Sequence, residues 1–208
     1  SCSLVGSEMC IRDSLYCGLS RDASKEEILE RINNNTITDI LNKIEVKAGD
    51  VVMVKAGTIH AIGAGVFICE IQQNSNCTYR MYDYDRRDKF GNPRELHVKK
   101  ALDVVDNHKY IKDNKTEVVI ARNEHFTEER LVQCKYFEVY KYDVNDEAKI
   151  TVDEASFVSV LFINGSGTIE TDDYEKTMEF KAGDSFFVSA GLRSIIIKGQ
   201  ATMVVTRV

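Results

Sequence analysis

Residues 47–57 read KAGDVVMVKAG, and residues 181–191 read KAGDSFFVSAG. Seven of the eleven positions are identical, in the same register. Each copy is a Gly-Asp turn, a four-residue β-branched or aromatic strand, and a second turn of small residues. A shared turn type alone would not account for seven identities. Repetition of this kind implies two copies of one β unit, and hence two related β domains.

Outward from the two copies, most of the chain reads as strand. Runs of β-branched and aromatic residues, broken by Gly, Asn and Asp, include VVMV at 51–54, VFICEI at 66–71, TYRMYDY at 78–84 and EVVIA at 117–121. YFEVYKY at 136–142, FVSVLFI at 157–163 and MVVTRV at 203–208 continue the pattern. Three short helices are expected. The first covers 24–32, where Ser24 and Glu27 have capping-box spacing ahead of Ile28, Leu29 and Ile32. The second covers 36–44, with Ile37, Ile40, Leu41 and Ile44 on one helical face. The third covers 95–105, just after Pro93. Many short strands with few helices imply a mainly β sandwich or barrel. Residues 1–14 show no periodicity. The string EMCIRDS reads as linker translated at a broken gene end, so this stretch is expected to be a disordered or artefactual tail.

The copies differ where chemistry would sit. Counting forward, His60 of the first falls opposite Ser194 of the second. A turn, strand and turn followed by a histidine resembles the second motif of cupins, which are double-sheet jelly rolls (double-stranded β-helices). The expected architecture is therefore two cupin-like units with a few short helices. Residues 15–110 form the C-terminal part of a catalytic cupin with a helical insert, and 111–208 a second, metal-free cupin-like domain. A strand histidine inside a small barrel, flanked by Gly57, Gly63 and Gly65, is placed to ligate a metal. Spacing alone favours a hydrogen-bonded core histidine instead. His97, His108 and His125 have no paired spacing and read as surface residues.

Composition narrows the function classes. The chain has 208 residues, 43% hydrophobic and 29% charged, which suits a soluble globular protein. A net charge of −6 offers no basic excess for a nucleic-acid partner. No apolar run approaches the roughly eighteen residues that span a bilayer, so no membrane partner is expected. The six cysteines follow no disulfide framework and read as free thiols in a reducing cytoplasm.

The stretch 67–87, FICEIQQNSNCTYRMYDYDRR, concentrates polar side chains on strand-like sequence. Glu70 suits a general acid or base, or a partner to a metal-bound histidine. Arg80 suits a clamp on phosphate or an oxyanion, because its fork presents paired donors. A solvated strand face with cross-strand ion pairs is the plainer reading. Asp83, Asp85, Arg86 and Arg87 read as hairpin charges or structural ion pairs.

Residues 56–106 carry HAIGAG, then EIQQNS, then TYRMYDYDR, and LVQCKYFEVYKYDV follows at 131–144. These motifs, in this order, resemble bacterial type I mannose-6-phosphate isomerases, from about Leu15 to the C-terminus. The resemblance implies a cytoplasmic cupin enzyme with one metal, usually zinc, held by a Gln, two His and a Glu. It assigns the last of those histidines to His60 and the catalytic arginine to Arg80, and it places Glu70 in the pocket. The other ligands belong to an upstream Q-x-H-P region and a nearby Glu strand. Q-x-H-P is absent from this sequence, so the chain is expected to be N-terminally truncated.

The implied chemistry interconverts mannose 6-phosphate and fructose 6-phosphate through an enediol(ate), with a small sugar phosphate as the partner. Two other readings remain. One is a non-catalytic cupin module that binds a sugar phosphate without turnover. The other is an inert fragment with unpaired strand edges.

Overall fold

The computed structural model describes residues 2–5, 14–75, 77–84, 86–112, 118–172 and 177–208. The chain divides into two compact units, Ser1–Lys112 and Asp113–Val208. It is mainly β.

Among the described residues the first unit contains six strands: β1 (Cys2–Val5), β2 (Ser14–Leu19), β3 (Leu41–Glu45), β4 (Val51–Met53), β5 (His60–Ile62) and β6 (Ile68–Ile71). Helix α1 (Lys25–Asn33) and a 3₁₀ turn (Ile37–Ile40) lie between β2 and β3, and helix α2 (Val98–Val104) follows β6. The strands form two three-stranded sheets, ordered β4-β1-β6 and β3-β2-β5. Leu15, Cys17, Val46, Val52 and Val54 make one buried cluster, with Ile44, Val66, Ile68 and Tyr110 packed against it. A second cluster joins Leu19, Ala23, Ile28, Ile32, Ile37, Ile40, Leu41 and Val105.

Four expectations change here. Cys2–Val5 is not a loose tail. It pairs with both β4 and β6, which offer it two complementary backbone edges. Residues 6–13 lie outside the described residues. The apolar spacing of 36–44 makes only a 3₁₀ turn. Ile37, Ile40 and Leu41 are buried as that face predicts, but Leu41–Glu45 continues as a strand paired with β2. The open edge of β2 supplies the backbone partners that make this half a strand. The stretch 78–84 forms no ladder strand, because its backbone is anchored to the start of α2 instead. The third helix starts at Val98, three residues later than its sequence suggests, with His97 as its N-cap.

The second unit has eight strands: β7 (Val118–Arg122), β8 (Phe126–Gln133), β9 (Glu138–Val144), β10 (Glu147–Val152), β11 (Val158–Thr171), β12 (Met178–Lys181), β13 (Ser185–Val188) and β14 (Arg193–Arg207). Their order is β12-β11-β14-β9-β8-β7, with β10 added to β14 and β13 to β11. The two longest strands, β11 and β14, pair almost throughout and carry partners at both ends. Their inward side chains, among them Val158, Val160, Phe162, Ile195, Ile197, Met203 and Val205, form one core with Tyr142, Val144 and Ile150.

The sequence repeat is a repeat of geometry. Lys47 N–H donates to the Asp50 carboxylate at 3.0 Å, and Lys181 N–H donates to Asp184 at 2.9 Å. Asp50 N–H returns to Lys47 O, and Asp184 N–H to Lys181 O, each at 3.1 Å. The turn glycines match as well: φ is 92° at Gly49 and 91° at Gly183, and 82° at Gly57 and 80° at Gly191.

Candidate active site

His60 opens β5, directly opposite Cys17 of β2. The turn before it is closely packed. Gly57 has φ 82°, and a Cβ there would lie 2.6 Å from the Val104 carbonyl oxygen. Its own carbonyl accepts a hydrogen bond from Asp106 N–H at 2.9 Å. Gly18 N–H donates to Ile59 O at 2.7 Å, which ties the approach to His60 to β2. The imidazole is exposed, with Nδ1 3.0 Å from Thr58 O. A carbonyl only accepts, so Nδ1 donates this bond, and in the neutral ring Nε2 is the nitrogen with the lone pair. A histidine held this way can serve as a ligand.

Glu70 lies on β6, opposite Ser3, and Ser3 is in turn opposite Val52. Residues directly opposite in an antiparallel ladder share a face. Glu70 therefore shares the face of Val52 and of Ile68, both of which belong to the cluster around Leu15 and Cys17. His60 shares the face of Cys17, in the same cluster. The two side chains thus stand on inner faces that meet in one apolar core, and both are exposed. Among the described residues the Glu70 carboxylate has no hydrogen-bond or ion-pair partner.

Arg80 belongs to a different neighbourhood. It is half-buried, and its flanking Met81 and Tyr82 pack on the cluster of Leu19, Ile28 and Ile37. Its backbone is anchored to the start of α2: His97 N–H donates to Arg80 O at 2.7 Å, and Arg80 N–H donates to His97 Nδ1 at 3.4 Å. Its guanidinium reaches Glu95 O at 3.3 Å. Among the described residues no hydrogen bond or ion pair joins His60, Glu70 and Arg80.

Two features beside Arg80 are not apparent in the sequence. His97 is half-buried and holds Arg80, although no local spacing links positions 80 and 97. Asp83 is buried and paired through both oxygens with Arg94. Arg94 holds the Asp83 carboxyl below its ordinary range, and the charges of Arg80 and Arg86 act in the same direction. Asp85 lies outside the described residues.

The second unit carries different residues at the equivalent positions. Where the first has His60, Ser194 is 2% exposed and donates its hydroxyl to Asp172. Asp172 also accepts from Lys149 Nζ at 3.1 Å. Counterparts of Glu70 follow from register: Ser3 joins Val52 to Glu70 as Val160 joins Phe186 to Val205. Val205 is fully buried in the core. One unit thus exposes an imidazole and a carboxylate where the other has a bonded hydroxyl and an aliphatic side chain.

The resemblance in the sequence implies zinc, and His60 offers one donor suited to it. Among the described residues no group of three or more His, Cys, Asp and Glu could hold a metal ion. The described residues therefore do not close a four-ligand zinc site by themselves. Cys17, Cys69, Cys77 and Cys134 are free thiols, and burial pushes those of Cys17 and Cys69 up.

The family described as mannose-6-phosphate isomerase, cupin domain, matches residues 127–208. The chain is 33% identical over 207 residues to the mannose-6-phosphate isomerase ManA of Bacillus subtilis, a match covering 95% of this chain and 61% of ManA. It is 41% identical over 190 residues to YvyI of the same organism, covering 89% of this chain and 57% of YvyI. The crystal structure of the mannose 6-phosphate isomerase from Bacillus subtilis superposes with a TM-score of 0.89 at 35% identity, over 100% of this chain and 64% of that one. The chain therefore spans less than two thirds of the length of these relatives.

Proposed function

We propose that the chain belongs to the mannose-6-phosphate isomerase family, on its likeness to these relatives, and that it is part of an aldose–ketose isomerase interconverting mannose 6-phosphate and fructose 6-phosphate. The observation that carries this reading is the asymmetry of the repeat. Glu70 and His60 stand exposed on inner faces of the first unit, where the second has Val205 and Ser194. A carboxylate without a partner, at the edge of an apolar core, suits proton transfer better than structure.

In this reading Glu70 takes the proton from C2 of the sugar, and the C–H electron pair becomes the double bond of an enediolate. The same carboxyl returns the proton at C1 while the O2 hydroxyl proton passes to O1, which leaves a C2 ketone and a C1 hydroxyl. Arg80, held in place by His97, faces the phosphate or the oxygen that gains charge. His60 would supply one donor, Nε2, to a metal that polarises the sugar oxygens. The second unit is a metal-free companion. The free thiols among the described cysteines suit a cytoplasmic protein.

The test is a coupled assay of mannose 6-phosphate isomerisation with the full-length product of the gene. Glu70→Gln is expected to lower kcat about 100-fold or more with little change in KM. Arg80→Met raises KM if Arg80 binds the phosphate, and lowers kcat if it faces the enediolate. Saturable binding of mannose 6-phosphate with no turnover in the unsubstituted protein would overturn the isomerase reading in favour of a sugar-phosphate-binding module.

A further inference from the structure

The inner face of the second unit is not apolar throughout. On β8, β9 and β14 the positions that continue inward from Phe126, Val144 and Met203 are Glu128 and Arg130, Tyr142, Tyr140 and Glu138, and Arg207. Arg130 lies opposite Tyr140, and Arg207 opposite both Glu138 and Val158. The Arg207 guanidinium is also 5.7 Å from the centre of the Tyr140 ring. Beside this group lies a cavity of about 360 Å³, lined by Arg207, Glu138, Lys135, Asp153, Phe157 and Val158 among others.

The charges in this region are unevenly satisfied. Glu138 accepts the Tyr140 hydroxyl at 2.6 Å and the Gln133 side-chain amide. Asp153 accepts the backbone N–H groups of Ala155 and Ser156, at 2.9 and 3.2 Å. Both side-chain carboxylates of the wall are thus occupied by neutral donors. The cations are not matched in the same way. Among the described residues neither Arg207, Arg130 nor Lys135 has a carboxylate within ion-pair distance. The Nε atoms of Arg130 and Arg207 are both buried without a hydrogen-bond partner. Leaving a buried charged donor unsatisfied is costly, so such a donor calls for a partner the protein does not supply.

We propose that this end of the second unit is a binding site for a small oxyanion-bearing molecule, a phosphate monoester or a carboxylate, held by Arg207 of the cavity wall, with Arg130, opposite Tyr140 on the same inner face, as the second cation. The planar guanidinium fork suits either anion, and the cavity accommodates a ligand the size of a phosphorylated sugar. Phe157, stacked on Phe187 with ring centroids 4.8 Å apart, supplies an apolar wall for the body of the ligand. The site uses none of Glu70, His60 and Arg80 and does not depend on the isomerase reading.

The test follows the arginine Nε–H signals of the intact chain by NMR during titration with inorganic phosphate, and separately with citrate, at constant ionic strength. The expected result is a saturable shift of the Arg130 and Arg207 signals with at least one of the two anions; which one does so identifies phosphate or carboxylate as the chemistry recognised. Arg207→Met should abolish the shift at Arg130, and Arg207→Lys should weaken binding about tenfold by keeping the charge without the fork. Unchanged methyl signals of Val160 and Met203 show that either variant is folded. Arg80→Met should leave the titration unaltered. Signals that stay in place with both anions, or move equally with chloride, overturn the proposal, as does an Arg130 shift that persists in folded Arg207→Met.

Discussion

Glu27 lies in the first turn of α1 and binds two arginines. Arg21 and Arg31 both donate to its carboxylate, Arg31 Nε at 2.9 Å. The capping-box spacing is half realised: Ser24 Oγ accepts Glu27 N–H at 3.1 Å, but the Glu27 side chain turns to the guanidinium groups instead of back to the cap. Charge-assisted bonds outcompete a neutral backbone donor. The two arginines, Arg21 first, hold the Glu27 pKa down to about 2. An unfolded glutamate titrates near about 4.3. The folded value is the lower one, so the pair's contribution to stability is full above the unfolded value and is lost as pH falls from there towards 2. Urea unfolding of Glu27→Gln against the parent should show a gap at pH 6 that narrows through pH 4 and 3 and closes only as pH reaches about 2. Gly57 is a second test at this scale. Alanine there meets both a positive φ and the Val104 carbonyl. Gly57→Ala is expected to cost about 1–3 kcal/mol in denaturant unfolding and to shift the His60 ring signals, because the turn aims that side chain.

Among the elements, α1 follows its sequence closely. Its polar cap, acidic first turn and buried Ile28 and Ile32 all lie where the pattern puts them. Ser24→Ala should destabilise the first unit by about 1 kcal/mol, measured by thermal unfolding of the α1 region through backbone amide signals. The failures are also instructive. Residues 36–44 bury the apolar face that a helix would bury, yet the second half is strand, since the edge of β2 offers backbone partners that a short isolated helix lacks. The strand-like TYRMYDY is spent on positioning. Arg80 is pinned by His97 and Asp83 by Arg94, partners 17 and 11 residues away. No local propensity encodes either contact.

For the molecule as a whole, the second unit has the larger continuous core, in which Phe162 is fully buried and stacked on Phe180 with ring centroids 3.7 Å apart. Phe162→Ala is expected to lower stability by about 3–5 kcal/mol, read as a fall in the urea midpoint of the second unit's amide signals with the slope preserved. The two KAGD copies were enough to read a duplicated β unit from the sequence, because a Gly-Asp turn at positive φ depends on a few adjacent residues. The strand character of most of the chain, the place of His60 just after a glycine turn and the resemblance to one isomerase family were legible for the same reason: each lies within a short window. Tertiary structure alone decided that Cys2–Val5 completes a sheet, that His60 and Glu70 face one core, that His97 fixes Arg80, and that Arg130 and Arg207 share an inner face. Those are relations between segments far apart in the chain. They are set by strand register, which moves every side chain to the opposite face when it slips by one residue, and which is settled only when the whole sheet closes on its core.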